Sequence, residues 1–156
     1  MKTLEPLLAE HPVFKGLAPH YIELLVGCAS NVRFEPDQYI FREGQPANTF
    51  YILREGCVAL EIFVPGRGPI TLETLSAGQV LGWSWLIPPY RHHFNAHVVE
   101  MTRAFALDAE CLRNKSEQDH DLGYELLKRF STMVIDRMQA AQLQLLDVYG
   151  SPASST

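Results

Sequence analysis

Hydrophobic and polar positions change their period twice along this chain, and the changes divide it into three parts. Leu4 to Glu10 and Pro19 to Ala29 read as short helices. In the second, Ile22, Leu25 and Val26 recur at helical spacing, and Pro19 suits the first helical position, where an N–H would go unpaired anyway. His11 to Leu17, HPVFKGL, is a tight apolar connector between them. From Asn31 to Asp108 the period becomes that of strands, in the runs NVRFE, QYIF, NTFYILRE, CVALEIFV, ITLETL, QVL, AHVVEM and TRAFALD. Val58, Leu60, Ile62 and Val64 alternate with Cys57, Ala59, Glu61 and Phe63, which directs one aliphatic row into a core. Turn residues punctuate the runs at Glu43-Gly44-Gln45-Pro46, Glu55-Gly56, Pro65-Gly66-Arg67-Gly68 and Ala77-Gly78. The pattern predicts a roll of antiparallel strands, a sandwich or barrel.

The third part is helical. DAECLRNKSEQ predicts a short helix, and His120 to Tyr149 holds no proline and only Gly123 as a weak point, so it predicts one long helix. Leu127, Phe130, Val134, Met138, Ala141, Leu145 and Val148 follow one another in steps of three and four. Leu126, Met133, Leu143 and Leu146 lie outside that stripe, so the helix carries more apolar surface than one contact hides. Either a partner helix covers the surplus or it packs under the N-terminal helices of the same chain. The expected organisation is a single domain over 1–149, with helices over 1–30, a jelly roll over 31–108 and C-terminal helices over 109–149. GSPASST, 150–156, reads as a disordered tail.

Composition narrows the function classes. With 156 residues, 47% of them hydrophobic, the chain can bury one good core. A net charge of -5 and the lack of a basic stripe argue against a general nucleic-acid binder. The apolar runs are too short to span a membrane, and Glu5 and Glu10 interrupt the opening MKTLEPLLAEHP, a poor secretory signal, so the expected location is cytoplasmic. Cys28, Cys57 and Cys111 are far apart and show no C-x-x-C spacing, which fits reduced, mostly buried thiols better than a disulfide or zinc framework, with redox sensing as the alternative.

Gly78 to Ala96, GQVLGWSWLIPPYRHHFNA, runs from a Gly-Gln turn through a short strand, a glycine, a one-turn helical segment and a loop into a further strand. Following FREGQPANTFYILREGCVAL, this order resembles the phosphate-binding cassette of the cyclic nucleotide-binding domain family. His11-Pro12-Val13-Phe14-Lys15-Gly16-Leu17 is similar to the family's opening, Ile40-Phe41-Arg42-Glu43-Gly44-Gln45-Pro46-Ala47 to its first hairpin, and Gly78 and Gly82 to its last two structural glycines. The resemblance covers His11 to Tyr149. It implies an eight-stranded jelly-roll β-barrel, mainly β with flanking helices, in which ligand binding inside the roll is reported through the long helix. The nearest flavour is the sensor half of bacterial catabolite-activator-like regulators, whose dimer helix also follows the roll; a homodimer through the C-terminal helix is expected.

The cassette departs from the family in its charges. Family members usually read Gly-Glu where this chain reads Gly82-Trp83, and Arg-Ser-Ala or Arg-Thr-Ala where it reads Phe94-Asn95-Ala96. In the family the glutamate accepts a ribose hydroxyl, the arginine pairs with the cyclic phosphate, and backbone N–H groups at the short helix complete the anion cradle. Trp83 and Phe94 do neither. A longer loop lets Arg91 turn inward as a substitute, stiffened by Pro88-Pro89, while Ser84 and Asn95 offer hydrogen bonds. Trp83, Trp85, Tyr90 and Phe94 make the pocket aromatic, to stack on a flat ligand or to fill the cavity themselves. The candidate ligand-binding residues are thus Gly82, Trp83, Ser84, Trp85, Arg91, Phe94, Asn95 and Ala96, with cyclic-nucleotide specificity lost or altered. The expected function is a non-enzymatic sensor domain for a small-molecule ligand. Its rivals are an inert roll serving only as an interaction module and a cupin-like metal enzyme using His92, His93 and His97, with Glu100 following. Adjacent His92 and His93 would point to opposite faces of an extended strand, which disfavours the enzyme. Seven residues follow Tyr149, too few for a helix-turn-helix, so a stand-alone sensor without direct DNA binding is expected.

Overall fold

The structure, a computed structural model, describes residues 4–154, with side chains described over 6–147. Helices α1 (Leu4–Glu10) and α2 (Pro19–Gly27) precede strands β1 (Ala29–Phe34), β2 (Tyr39–Phe41), β3 (Thr49–Val64), β4 (Gly68–Ser76), β5 (Val80–Leu81) and β6 (Asn95–Asp108). Helices α3 (Ala109–Gln118) and α4 (His120–Ser154) follow. Pro19 opens α2 as expected, but the helix ends early, where the Cys28 N–H reaches back to the carbonyls of Leu25 and Val26. The roll therefore begins at Ala29, paired with Leu107, rather than at Asn31.

Eight strand-like runs become six strands among the described residues because two pairs fuse. NTFYILRE and CVALEIFV join as β3, and AHVVEM and TRAFALD join as β6. The turn expected at Glu55-Gly56 does not form. Gly56 instead sits within β3 at φ 102, where an added Cβ would collide with Thr102 and the Met101 carbonyl of β6. Glycine alone permits both that φ and that approach. Register shifts between Leu53 and Val58 bend the long strand at the same place. The antiparallel path runs β1-β6-β3-β4, with β2 added on β6 and β5 on β3. Its ends, β1 and β4, do not pair, so the roll is an open curled sheet and not the closed barrel expected.

Two apolar clusters hold it together. Phe41, Leu53, Val58, Leu60, Leu75, Leu81, Ala96 and Ala104 fill the roll. Val58 and Leu60 of the expected aliphatic row are buried there, whereas Ile62 and Val64, nearer the hairpin tip, are only half-buried. The second cluster joins the helices to one end of the roll, with Leu8, Phe14, Leu25, Phe50, Trp85, Leu112, Leu122, Leu126 and Phe130. The Asp108 carboxylate caps α3 by accepting the Cys111 N–H at 3.0 Å, and Asp119 accepts from Asp121 and Leu122 at the start of α4. Gly123 is less a weak point than a packing site: a Cβ there would lie 3.2 Å from Ser116 Cβ, so its absence lets α4 settle on α3.

The apolar stripe of α4 divides along the helix. Phe130, with the off-stripe Leu126 and Met133, packs in the helical cluster of its own chain. Met138, Leu143, Leu145 and Leu146, by contrast, are more than half exposed. The side chain of Val148, the last of the stripe, lies outside the described ones. The helix continues to Ser154, past Tyr149 and into the segment expected as a tail; residues 155–156 lie outside the described ones.

The cysteine expectation needs correction. Cys28 and Cys111, separated by 83 residues, form a disulfide with Cα atoms 6.5 Å apart, and Cys57 is free. Sequence spacing missed the pair because β1 and β6 are neighbours in the sheet. Their pairing brings the residues just outside each strand together.

Candidate ligand-binding site

The cassette leaves β5 at Gly82, whose φ of 90 requires glycine, and makes one turn of 3-10 helix over Trp83–Leu86. Backbone hydrogen bonds then hold the loop to the first hairpin: Gly44 N–H donates to the His92 carbonyl at 2.8 Å, His92 N–H to Gln45 at 3.0 Å, and Ala47 N–H to Tyr90 at 2.7 Å. From α3, the Arg113 guanidinium donates to the carbonyls of Trp85 (2.8 Å) and Ala47 (3.1 Å) and lies over the Tyr90 ring. The loop is therefore fixed from two sides.

The candidate residues part company within this frame. Trp85 is fully buried in the helical cluster, stacked on Phe50 and edge-on to Phe130, so it is core and does not line a ligand cavity. Arg91 turns outward and donates to the Gly44 carbonyl at 2.8 Å, so it does not take the place of the missing arginine. Asn95 spends its side-chain oxygen on the Glu43 N–H at 2.8 Å. Ala96 is buried opposite Phe41 and Leu60. Gly82, Trp83, Ser84 and Phe94 do gather, together with Phe41, Leu60, His92 and His93, around a space of only about 10 Å³.

His92 closes that space. Its ring is 5% exposed and stacks on Phe41 with centroids 3.5 Å apart. Burial, reinforced by the neighbouring His93, lowers its pKa to about 4, so it is neutral near pH 7 and offers an anion no charge. His93 stacks on Trp83, while His97 faces the other way and meets Glu61 at 3.0 Å and Asp37 at 3.4 Å beneath Tyr39. The three imidazoles thus diverge. Among the described residues no three His, Cys, Asp or Glu side chains converge as a metal site would need.

Beside the closed cassette lies an open groove of about 910 Å³ between β4 and α4. Leu60, Leu72, Phe94, Ala140, Ala141 and Leu145 give it apolar walls; Thr71, Thr74 and Gln144 supply hydrogen-bonding groups. Among the described residues its one lining cation is Arg137. That guanidinium binds both carboxylate oxygens of Glu73, at 2.8 and 3.2 Å, and the Val80 carbonyl at 3.0 Å, so its fork is already occupied. Arg137 and Glu73 were not among the candidate ligand-binding residues, and His92 stood only as a metal ligand in the rival enzyme reading. An arginine amid an apolar helix stripe was the available signal.

Residues 31–119 match the cyclic nucleotide-binding domain family, and the chain belongs to that family. Over 125 residues it is 23% identical to a CRP-like cAMP-activated global transcriptional regulator of Mycobacterium tuberculosis, covering 80% of this chain and 56% of the regulator. This chain thus spans little more than half the length of that relative. The fold is shared with a cyclic nucleotide-binding domain from Methylobacillus flagellatus (TM-score 0.76, 16% identity, covering 93% of this chain and 82% of that one). It is shared also with the sensor domain of the transcriptional regulator DNR from Pseudomonas aeruginosa (TM-score 0.71, 23% identity, 88% and 93% covered).

Proposed function

We propose that this chain is a non-enzymatic, cytoplasmic sensor domain that has given up ordinary cyclic-nucleotide binding. It takes a different small molecule in the groove between β4 and α4 and signals through α4 as a homodimer. The observation that carries this reading is the contrast between a cassette filled by its own His92, Phe41 and Trp83 and an open groove beside it. The groove favours an apolar ligand with a few hydrogen-bonding groups, because a phosphate would have to compete with Glu73 for Arg137. Loss of the cassette glutamate and arginine removes two charge-assisted contacts, each worth about 1.5–3 kcal/mol, which lowers cyclic-nucleotide affinity by about 10²- to 10⁴-fold from that of an intact cassette. Calorimetric titration with cyclic AMP and cyclic GMP checks this. Submicromolar binding by either would overturn it.

The filled cassette also favours a second reading, a ligand-free interaction module acting through its exit helix. Native mass spectrometry of the untagged protein separates the two. A co-purified small molecule released on denaturation supports the sensor, and a bare chain that still dimerises supports the module.

A further inference from the structure

We propose that Cys28 and Cys111 are a reversible redox-modification site that couples the thiol–disulfide state to the setting of α3 and α4. Both cysteines stand at the ends of the roll. Cys28 closes α2 immediately before β1, and Cys111 lies in the first turn of α3, just after β6. Their Cα separation of 6.5 Å lies within the range that a disulfide bridges without backbone movement. Asp108 joins the two segments a second time: its N–H donates to the Cys28 carbonyl at 2.8 Å, and its carboxylate accepts the Cys111 N–H. The ends therefore stay close when the bond is open, as a reversible pair requires.

Cys111 is half-buried and Cys28 nearly fully buried, so a soluble thiol or disulfide meets the Cys111 sulfur first. Reactivity follows such access as well as thiolate content. Two positions further along α3, Arg113 grips the cassette through the Trp85 carbonyl and the first hairpin through the Ala47 carbonyl, and Ser116 packs on Gly123 of α4. One short helix thus links the sulfur pair, the cassette and the long helix. The matched relative is a transcriptional regulator. In the reducing compartment proposed for this chain, a disulfide is usually transient and redox-sensing rather than a permanent staple.

The oxidant is a low-molecular-weight disulfide of the glutathione class. The Cys111 thiolate attacks one sulfur of that disulfide, breaks its S–S bond and releases one small thiol. Cys28, giving up its proton, then attacks the Cys111 sulfur of the mixed disulfide and releases the second. One S–S bond is broken and one is formed: the two protein thiols lose two electrons, and the small disulfide gains them to become two thiols. Excess small thiol reverses both steps.

The test equilibrates untagged, folded protein in a series of glutathione and glutathione-disulfide mixtures, followed by acid quench, alkylation and mass spectrometry. Hydrogen exchange is measured at both ends of the series. Cys28 and Cys111 are expected to lose alkylation together and reversibly within the range glutathione spans, while Cys57 alkylates throughout. On reduction, amides of the first turns of α3 and α4 are expected to exchange about tenfold faster, a response missing from Cys111→Ala. Alkylation of both cysteines in folded protein at the oxidising end would overturn the proposal. So would a bridge that withstands the most reducing mixture, or a reversible bridge that leaves α3 and α4 exchange unchanged. Should Cys111→Ala fail to fold, Cys28→Ser serves as the comparison, and the wild-type series decides by itself.

Discussion

His92 illustrates how much one side chain can change a binding site without altering its frame. The glycines, the 3-10 turn and the loop anchors are in place, yet an imidazole stacked on Phe41 occupies the space beneath them. Its depressed pKa ties stability to pH. Between the ordinary 6.5 and the folded value of about 4, the unfolded chain binds a proton that the folded chain refuses, so this contribution is lost as pH falls through that window. The loss is on the order of 2 kcal/mol. Urea unfolding at about pH 7 and pH 4.5 should show a larger drop for the wild type than for His92→Phe. An equal drop in both would show that His92 is not the group responsible.

Among the elements, α4 is bound to the roll by a polar anchor at Arg137 as well as through apolar packing. Arg137 carries three hydrogen bonds from the helix to β4 and β5 while remaining 18% exposed. Arg137→Ala should cost about 1–3 kcal/mol, less than a fully buried pair because Glu73 regains water when released. Hydrogen exchange should quicken in α4 from about residue 136 onward, with the roll still protected. Lysine at this position should rescue little, since it cannot reproduce the two-pronged contact. Unchanged exchange in Arg137→Ala would mean that apolar packing alone seats the helix.

At the scale of the whole molecule, the second half of α4 presents Met138, Leu143, Leu145 and Leu146 to solvent in a single chain. Apolar residues along one helix at this density are normally covered, and a symmetric pair of helices covers them with the same surface twice. The expected state is a homodimer at tens of micromolar by sedimentation equilibrium. Leu145→Glu should split it while the far-UV spectrum of the roll persists, because two like charges would meet in a desolvated seam. A monomeric wild type would show that the exposed residues serve another contact.

Much of this was legible in the chain because it depends on local pattern. The change from helical to strand period and back, the turn glycines and Pro19 at the start of α2 set the order of elements, since backbone preference and hydrophobic periodicity act over a few residues. The glycine frame of Gly78 and Gly82 marked the family, and the missing charges at Trp83 and Phe94 were plain from residue type alone. Tertiary structure decided what depends on distance through space. Gly56 looked like a turn until β6 lay against it; Trp85 looked like a pocket wall until Phe50 and Phe130 enclosed it. Cys28 met Cys111 only through the pairing of β1 with β6, and Arg137 found Glu73 only when α4 crossed β4. Local period records which face of an element is apolar. It carries no information about which distant residue will meet that face, because the partner is chosen by the packing of the whole sheet and its helices.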